Sequence, residues 1–262
     1  MSAMTAVGTL WKRELVRFFR QPSRIAGAAG SPLIFWILIG SGLSGSFRLP
    51  GGPADLDYLE YFFPGTMVLT LLFAAIFSTI SVIEDRNQGF LQGVLVAPVS
   101  RASIAAGKVL GGATLAWMQS VVFLALAPLS GIRLTVSSVL AAAGVLAILG
   151  IALTAVGFAF AWRVDSVQGF HAVMNLLLVP MWLLSGAFFP LSGAPPWLGL
   201  LMKLNPLTYG VAALRWALYG SAESVGPGLP GPAVAIAVTL VAAVLAFGLD
   251  LLAMRGRRGI SA

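Results

Sequence analysis

Six long stretches almost free of charge set the terms for this chain: 25–44, 62–83, 109–129, 134–162, 170–190 and 233–254. A bilayer's hydrocarbon core is about 30 Å thick and is crossed by about 20 residues of helix rising 1.5 Å each. Every stretch reaches that length, and the fourth is long enough to tilt or to project beyond the lipid. The charges left over could not make a water-facing surface. Only 10% of residues are charged and 58% are hydrophobic, against about 25% and 45–50% in an ordinary soluble domain. The expected fold is therefore an all-α polytopic membrane protein with six transmembrane helices in one membrane domain, 1–262.

Lys and Arg collect on cytoplasmic flanks. With the N-terminus inside, that side holds Lys12, Arg13, Arg17, Arg20, Arg24, Arg86, Arg101, Lys108, Arg163, Arg255, Arg257 and Arg258, leaving Arg48, Arg133, Lys203 and Arg215 outside. The bias predicts that both termini are cytoplasmic; the expected location of this multi-pass chain is the plasma (inner) membrane. The bias also accounts for the net charge of +7 without nucleic acid, for which no basic-aromatic groove pattern exists. The absence of cysteine excludes disulfides and Cys-ligated metals.

Residues 1–24 lack the short apolar core and small-residue cleavage site of a signal peptide. Val7, Leu10, Trp11, Leu15 and Phe18 recur at helical spacing, with Lys12, Arg13, Arg17 and Arg20 largely on other faces. That pattern predicts an amphipathic helix in the headgroup region, ended by Pro22. The loop 45–61 carries Asp55, Asp57 and Glu60 without calcium-loop spacing and reads as a solvated outer connection. Within 191–232 the apolar pieces Trp197–Met202 and Thr208–Tyr219 are too short to span. With a break at Asn205-Pro206, they predict an extracellular re-entrant or interfacial hairpin after Pro190. Trp197, Tyr209, Trp216 and Tyr219 suit the water–lipid boundary.

Catalytic machinery is not evident. The nearest approach to a phosphate-cradling loop, Ala102–Val109, lacks both the first glycine and the final hydroxyl of G-x-x-x-x-G-K-[ST]. The sole histidine, His171, rules out His-pair zinc sites and reads as a packed or interfacial residue. Asp250, the one carboxylate inside a span, is expected to pair with Arg255, Arg257 or Arg258 at the cytoplasmic edge. No catalytic, metal or cofactor site is expected in this chain. The spans lack the buried charges of an ion-coupled pump but carry small-residue faces such as Gly107-x-x-x-Gly111 for close helix packing.

Residues 81–112, SVIEDRNQGFLQGVLVAPVSRASIAAGKVLGG, are the exception in this oily chain. Glu84, Asp85 and Arg86 are expected to emerge into water after Ile83. Phe90, Leu91, Val94 and Leu95 then recur at helical spacing until Pro98 stops the element, and Ser100 can cap the next helix. The result is a short, partly apolar cytoplasmic helix parallel to the membrane, suited to a soluble partner or to resting on lipid.

EDRNQGFLQGVLVAPVSRASIAAGKVLGG (84–112) resembles the signature of the ABC type 2 exporter permeases: an acidic-basic start, a glycine, a leucine-rich turn, then Pro-Val-Ser-Arg and Gly-Lys. SGAFFPLSGAPPWLGLLMKLNPLTYGVAALR (185–215) is similar to the same family's motif after its fifth span. Gln88 and Phe90 depart from the Glu or Lys and the Thr common there. The resemblance implies a permease subunit that forms a homodimer or related heterodimer and binds two copies of a separate ATPase, which holds ATP and magnesium. It implies export by alternating access, with Glu84–Pro98 as the coupling helix. Leu91, Val94 and Leu95 would be its apolar contacts, Glu84, Asp85, Arg86 and Arg101 its polar ones, and Gly89 and Gly93 would permit close approach. The hairpin of Pro190, Trp197, Asn205, Pro206 and Tyr209 would form the extracellular gate. The rival reading is an ATPase-independent carrier or channel. The cargo, whether drug, lipid, glycan, polymer or ion, is not legible.

Overall fold

The computed structural model describes residues 2–20, 22–43, 57–220 and 228–256. Most of the expected outer loop 45–61 therefore lies outside the described residues, as do 221–227, Arg257 and Arg258. The described chain is all-α, in the order α1 (Ala3–Phe19), α2 (Pro22–Leu43), α3 (Tyr58–Ser78), α4 (Ile80–Asn87), α5 (Phe90–Val96), α6 (Arg101–Leu124), α7 (Val136–Arg163), α8 (Val167–Trp182), α9 (Pro196–Leu204), α10 (Pro206–Tyr219) and α11 (Pro232–Gly256). A 3₁₀ turn, Ala127–Ser130, follows α6, and a π turn, Leu183–Ala187, extends α8.

A helix occupies each of the six apolar stretches. Among the described residues, four are long and apolar enough to cross a membrane: Tyr58–Asn87, Val136–Arg163, Val167–Ala187 and Pro232–Met254. The chain is a multi-pass membrane bundle. Its local boundaries follow from local chemistry. Ser100 accepts a hydrogen bond from the Ser103 amide at 3.1 Å and starts α6; losing such a cap costs about 1 kcal/mol. Asn205 ends α9 and caps α10 by accepting from the Leu207 amide at 3.0 Å. Between α3 and α4, the Ser78 and Thr79 hydroxyls each donate to a carbonyl three residues back at 2.6 Å, a side-chain bond that bends helices.

α3 is the centre of the bundle, packed by α2, α6, α7 and α10. Its Phe62, Phe63, Met67, Leu71 and Leu72 are buried, and Phe63 stacks on Phe123 while meeting Trp36 edge-on. Lipid tails are as apolar as leucine, so helices in a membrane cohere through close contact more than through escape from water. The small-residue faces supply that contact. A Cβ on Gly107 would lie 2.7 Å from the Cβ of Leu10, and one on Gly111 would lie 2.8 Å from that of Glu14. The close packing expected of this pair is thus made with α1. The buried edge of α1 is Ala6, Leu10 and Glu14, one residue every four, seated on α6, while Trp11 stays partly exposed.

Candidate functional site

At one end of the bundle α1, α4 and α6 converge on a cluster of charge. Asp85 is 0% exposed, and its carboxylate receives both terminal nitrogens of Arg13 at 2.7 and 2.8 Å. Arg17 reaches the same carboxylate at 3.0 Å and also pairs with Glu84. Lys108 completes the group: its Nζ bonds Asp85, Glu14 at 2.6 Å and the Ser81 hydroxyl at 3.4 Å. Arg13, Arg17 and Lys108 are therefore balanced by Glu14, Glu84 and Asp85. Such balance is needed, because an unpaired charge removed from water costs several kcal/mol. The Asp85 hydrogen bond, opposed by partial burial, holds the Arg13 guanidinium above its usual range.

The expectation that Glu84, Asp85 and Arg86 emerge into water is corrected here. Asp85 is sealed in, and the side chains of Glu84 and Arg86 are largely covered. Cations from α1 and α6, distant in sequence, replace the water that a carboxylate leaving a span would otherwise require. Arg86 turns away from the cluster and donates to the carbonyls of Ala161, Trp162 and Val164 at 2.9, 2.7 and 3.0 Å, and to Asp165 at 3.2 Å. It thus satisfies the open carbonyls at the end of α7 that every helix C-terminus leaves.

α5 hangs from this junction. Gly89 opens it with φ +75°, a left-handed conformation that glycine adopts without steric cost. Leu91 is 3% exposed and joins the bundle's own core, with Val94 and Leu95 half-buried against it. The Arg13 guanidinium lies over the Phe90 ring at 3.8 Å. Past the exposed Pro98, Arg101 donates to the Met254 carbonyl, tying the start of α6 to α11. What α5 turns outward is Phe90, Gln92, Gly93 and Val96, the last 86% exposed. The helix is braced by arginines before and after it and presents one free face.

Tyr61, in the first turn of α3, lies about 36 Å along the chain's helical path from Asp85, at 1.5 Å per residue, and that end of α3 forms a second constellation. Tyr61 Oη and Arg215 Nη2 donate to the Gly186 carbonyl at 2.9 and 3.0 Å, and the guanidinium stacks over the Tyr61 ring at 3.9 Å. Tyr58 donates to the Phe188 carbonyl, and Trp182 Nε1 to that of Gly65. Asn205 Nδ2 bonds the Met181 carbonyl at 2.6 Å, and Tyr209 that of Lys203 at 3.0 Å. Asn205 is buried here, while Pro190 and Tyr209 are half-exposed and Pro206 and Trp197 exposed. Arg215, counted among the outer-side cations, is buried within the bundle. Its place at the end of the 185–215 motif was the signal that it had more than a flanking role.

His171 and Asp250, the ionisable residues that the sequence places inside apolar spans, lie apart from both clusters. His171 is half-buried with its ring 4.9 Å from that of Phe77, a packed position as expected. Asp250 is 0% exposed, and neither carboxylate oxygen has a hydrogen-bond partner among the described residues. The side chains of its expected partners Arg255, Arg257 and Arg258 lie outside those residues.

Residues 5–219, which hold both constellations, match the ABC-2 type transporter family. This chain belongs to the ABC-2 type transporter family. It is 30% identical over 210 residues to ycf38 of Cyanophora paradoxa, named as a transport permease, covering 79% of this chain and 72% of that one. To the inner membrane transport permease YadH of Escherichia coli K12 it is 26% identical over 221 residues, 82% of this chain and 83% of the other. To the daunorubicin resistance ABC transporter permease protein DrrB1 of Streptomyces coeruleorubidus it is 22% identical over 230 residues, 84% and 77% of the two chains. Within the family match, the acidic and Gly-Lys ends of the 84–112 motif acquire a physical meaning. Asp85 and Lys108 are bonded to each other and to α1.

Proposed function

We propose that this chain is the permease subunit of an ATP-driven exporter in which ATP and magnesium are bound by a separate ATPase chain. Two ATPase copies would serve a pair of permeases, identical or related. In this reading α2 and α6 cross the bilayer with the four long apolar spans, making six crossings in one domain, 1–262, of the plasma (inner) membrane. Both termini are cytoplasmic. α5 with its flanks, Glu84–Pro98, is the coupling helix, and the hairpin α9–α10 closes the path on the outer side.

The observation that carries this proposal is the mounting of α5. A lever must be stiff toward the load and open toward the drive. α5 is held to the bundle by Leu91 and Arg13, and the segments flanking it by Arg86 and Arg101, while Phe90, Gln92 and Val96 face outward. None of those three is among the contacts the resemblance implies; Leu91, Val94 and Leu95, its apolar contacts, pack toward the bundle, and in this reading Phe90, Gln92 and Val96 enter the groove on the partner instead. Asp85, Arg86 and Leu91 act from behind, transmitting force into α1, α7 and the core.

The test is Val96→Asp. The substitution adds charge where solvent already reaches, so the bundle stays intact. At an apolar interface it forfeits about 1.5–3 kcal/mol of burial and strands a charge, which weakens docking about tenfold to a hundredfold or more. Co-purification of the cognate ATPase and export should both fall at unchanged expression and melting temperature. Unaltered co-purification and export would sink the coupling assignment. Buried Asp250 is the observation that favours an ion-coupled carrier instead. Transport that persists after deletion of the ATPase would establish that rival.

A further inference from the structure

α1 does more than supply cations to the junction. Together with α6 it borders an open groove of about 420 Å³, lined from α1 by Met4, Val7, Gly8 and Trp11 and from α6 by Leu110 and Thr114. The few polar atoms there are already committed. The Trp11 indole donates to the Thr114 hydroxyl at 3.1 Å, and that hydroxyl donates to the Leu110 carbonyl at 2.7 Å. What remains toward the opening is apolar, with Met4 86% exposed and Trp11 and Leu110 partly so. A polar ligand would find nothing to bond, whereas a hydrocarbon chain would find a matching wall.

The charge beside the groove selects the occupant further. Met4, Gly8, Lys12, Val16 and Arg20 follow one another at intervals of four along α1 and are exposed, so they form one row on the helix surface. Arg13 and Arg17 are consumed by Asp85 and Glu84, but among the described residues Lys12 and Arg20 have no ion-pair partner. Lys12 stands one turn beyond Gly8, about 6 Å along the axis. We propose that this groove binds one anionic phospholipid of the cytoplasmic leaflet, with an acyl chain along Met4, Gly8 and Trp11 and its phosphate at Lys12. The leaflet rests on the topology proposed above; the site itself does not. Because an acyl chain gains little by leaving other chains for a protein wall, the groove sets position and the cation sets preference. A single cation near a lipid surface corresponds to about a fivefold preference for anionic headgroups.

The test is native mass spectrometry of full-length protein extracted from bilayers of equal phosphatidylglycerol and phosphatidylcholine. Wild-type protein should retain phosphatidylglycerol over phosphatidylcholine by about fivefold. Lys12→Gln should bring that ratio near one, and Lys203→Gln on the exposed end of α9 should leave it unchanged. Gly8→Leu should remove the bound lipid, since a Cβ at Gly8 meets no atom within 4 Å and the larger side chain fills the groove rather than the helix interface. Met4→Asp serves as a second groove variant, and both variants are compared at matched melting temperature. A wild-type protein without headgroup preference, or groove variants that keep the lipid, would overturn the site. Groove variants that keep the lipid but lose the ATPase or a second permease copy would assign the groove to that protein instead. No ATP or transport enters the readout, so failure here leaves the permease proposal standing.

Discussion

Asp85→Asn tests the sealed junction most directly. The substitution keeps the shape of the side chain and removes one negative charge, leaving Arg13, Arg17 and Lys108 to face only Glu14 and Glu84. Asp85 and Lys108 are almost wholly out of solvent, at 0% and 3% side-chain exposure, so water cannot screen the imbalance, although Arg13 and Arg17 keep partial access. Breaking a buried ion pair by removing one partner costs about 3–5 kcal/mol. At about 2–4 °C per kcal/mol for a chain of this size, the melting temperature should fall by roughly 6–20 °C. The double variant Asp85→Leu with Lys108→Met removes one charge of each sign. It leaves Arg13 and Arg17 against Glu14 and Glu84, and should recover most of the loss, because apolar replacement of a buried pair is often neutral or better. The assay is thermal unfolding of the purified chain in lipid nanodiscs for wild type, Asp85→Asn, Lys108→Met and the double variant. A loss below about 1 kcal/mol for Asp85→Asn, or a double variant no more stable than the worse single one, would refute the account of Asp85 as the neutralised centre of the junction.

Leu91→Ala should destabilise the chain by about 2–5 kcal/mol, the range for truncating a core leucine, because Leu91 packs inward; an unchanged melting temperature would place it on the outward face instead. Gly186→Ala should cost about 1–3 kcal/mol, since its φ of +78° is strained for any residue with a Cβ. It should also shift the carbonyl that Tyr61 and Arg215 share, and faster hydrogen exchange around Arg215, in the second half of α10, would register the loosened contact.

Much of this architecture is written in short-range chemistry. Uncharged runs of about twenty residues set the apolar helices, Pro98 stops α5, Ser100 starts α6, and Asn205-Pro206 divides α9 from α10. Each depends on residues a few positions apart, so the sequence by itself determined them. The family motifs were equally legible. The direction in which side chains of the central segment point was not. A polar triplet after an apolar span reads as exposed unless something covers it, and what covers Asp85 arrives from Arg13, 72 residues before it, and Lys108, 23 after it. Leu91 looks the same to a periodicity argument whether its face meets a partner or its own bundle, and Arg215 looks like a flanking cation until Tyr61 and Gly186 are brought to it. Only the tertiary structure decided these, because a charge is stabilised by whichever opposite charges the packed helices place around it. Here that placement depends on α1 lying against Gly107 and Gly111, closely enough for Arg13 and Arg17 to reach Asp85 and for Glu14 to reach Lys108.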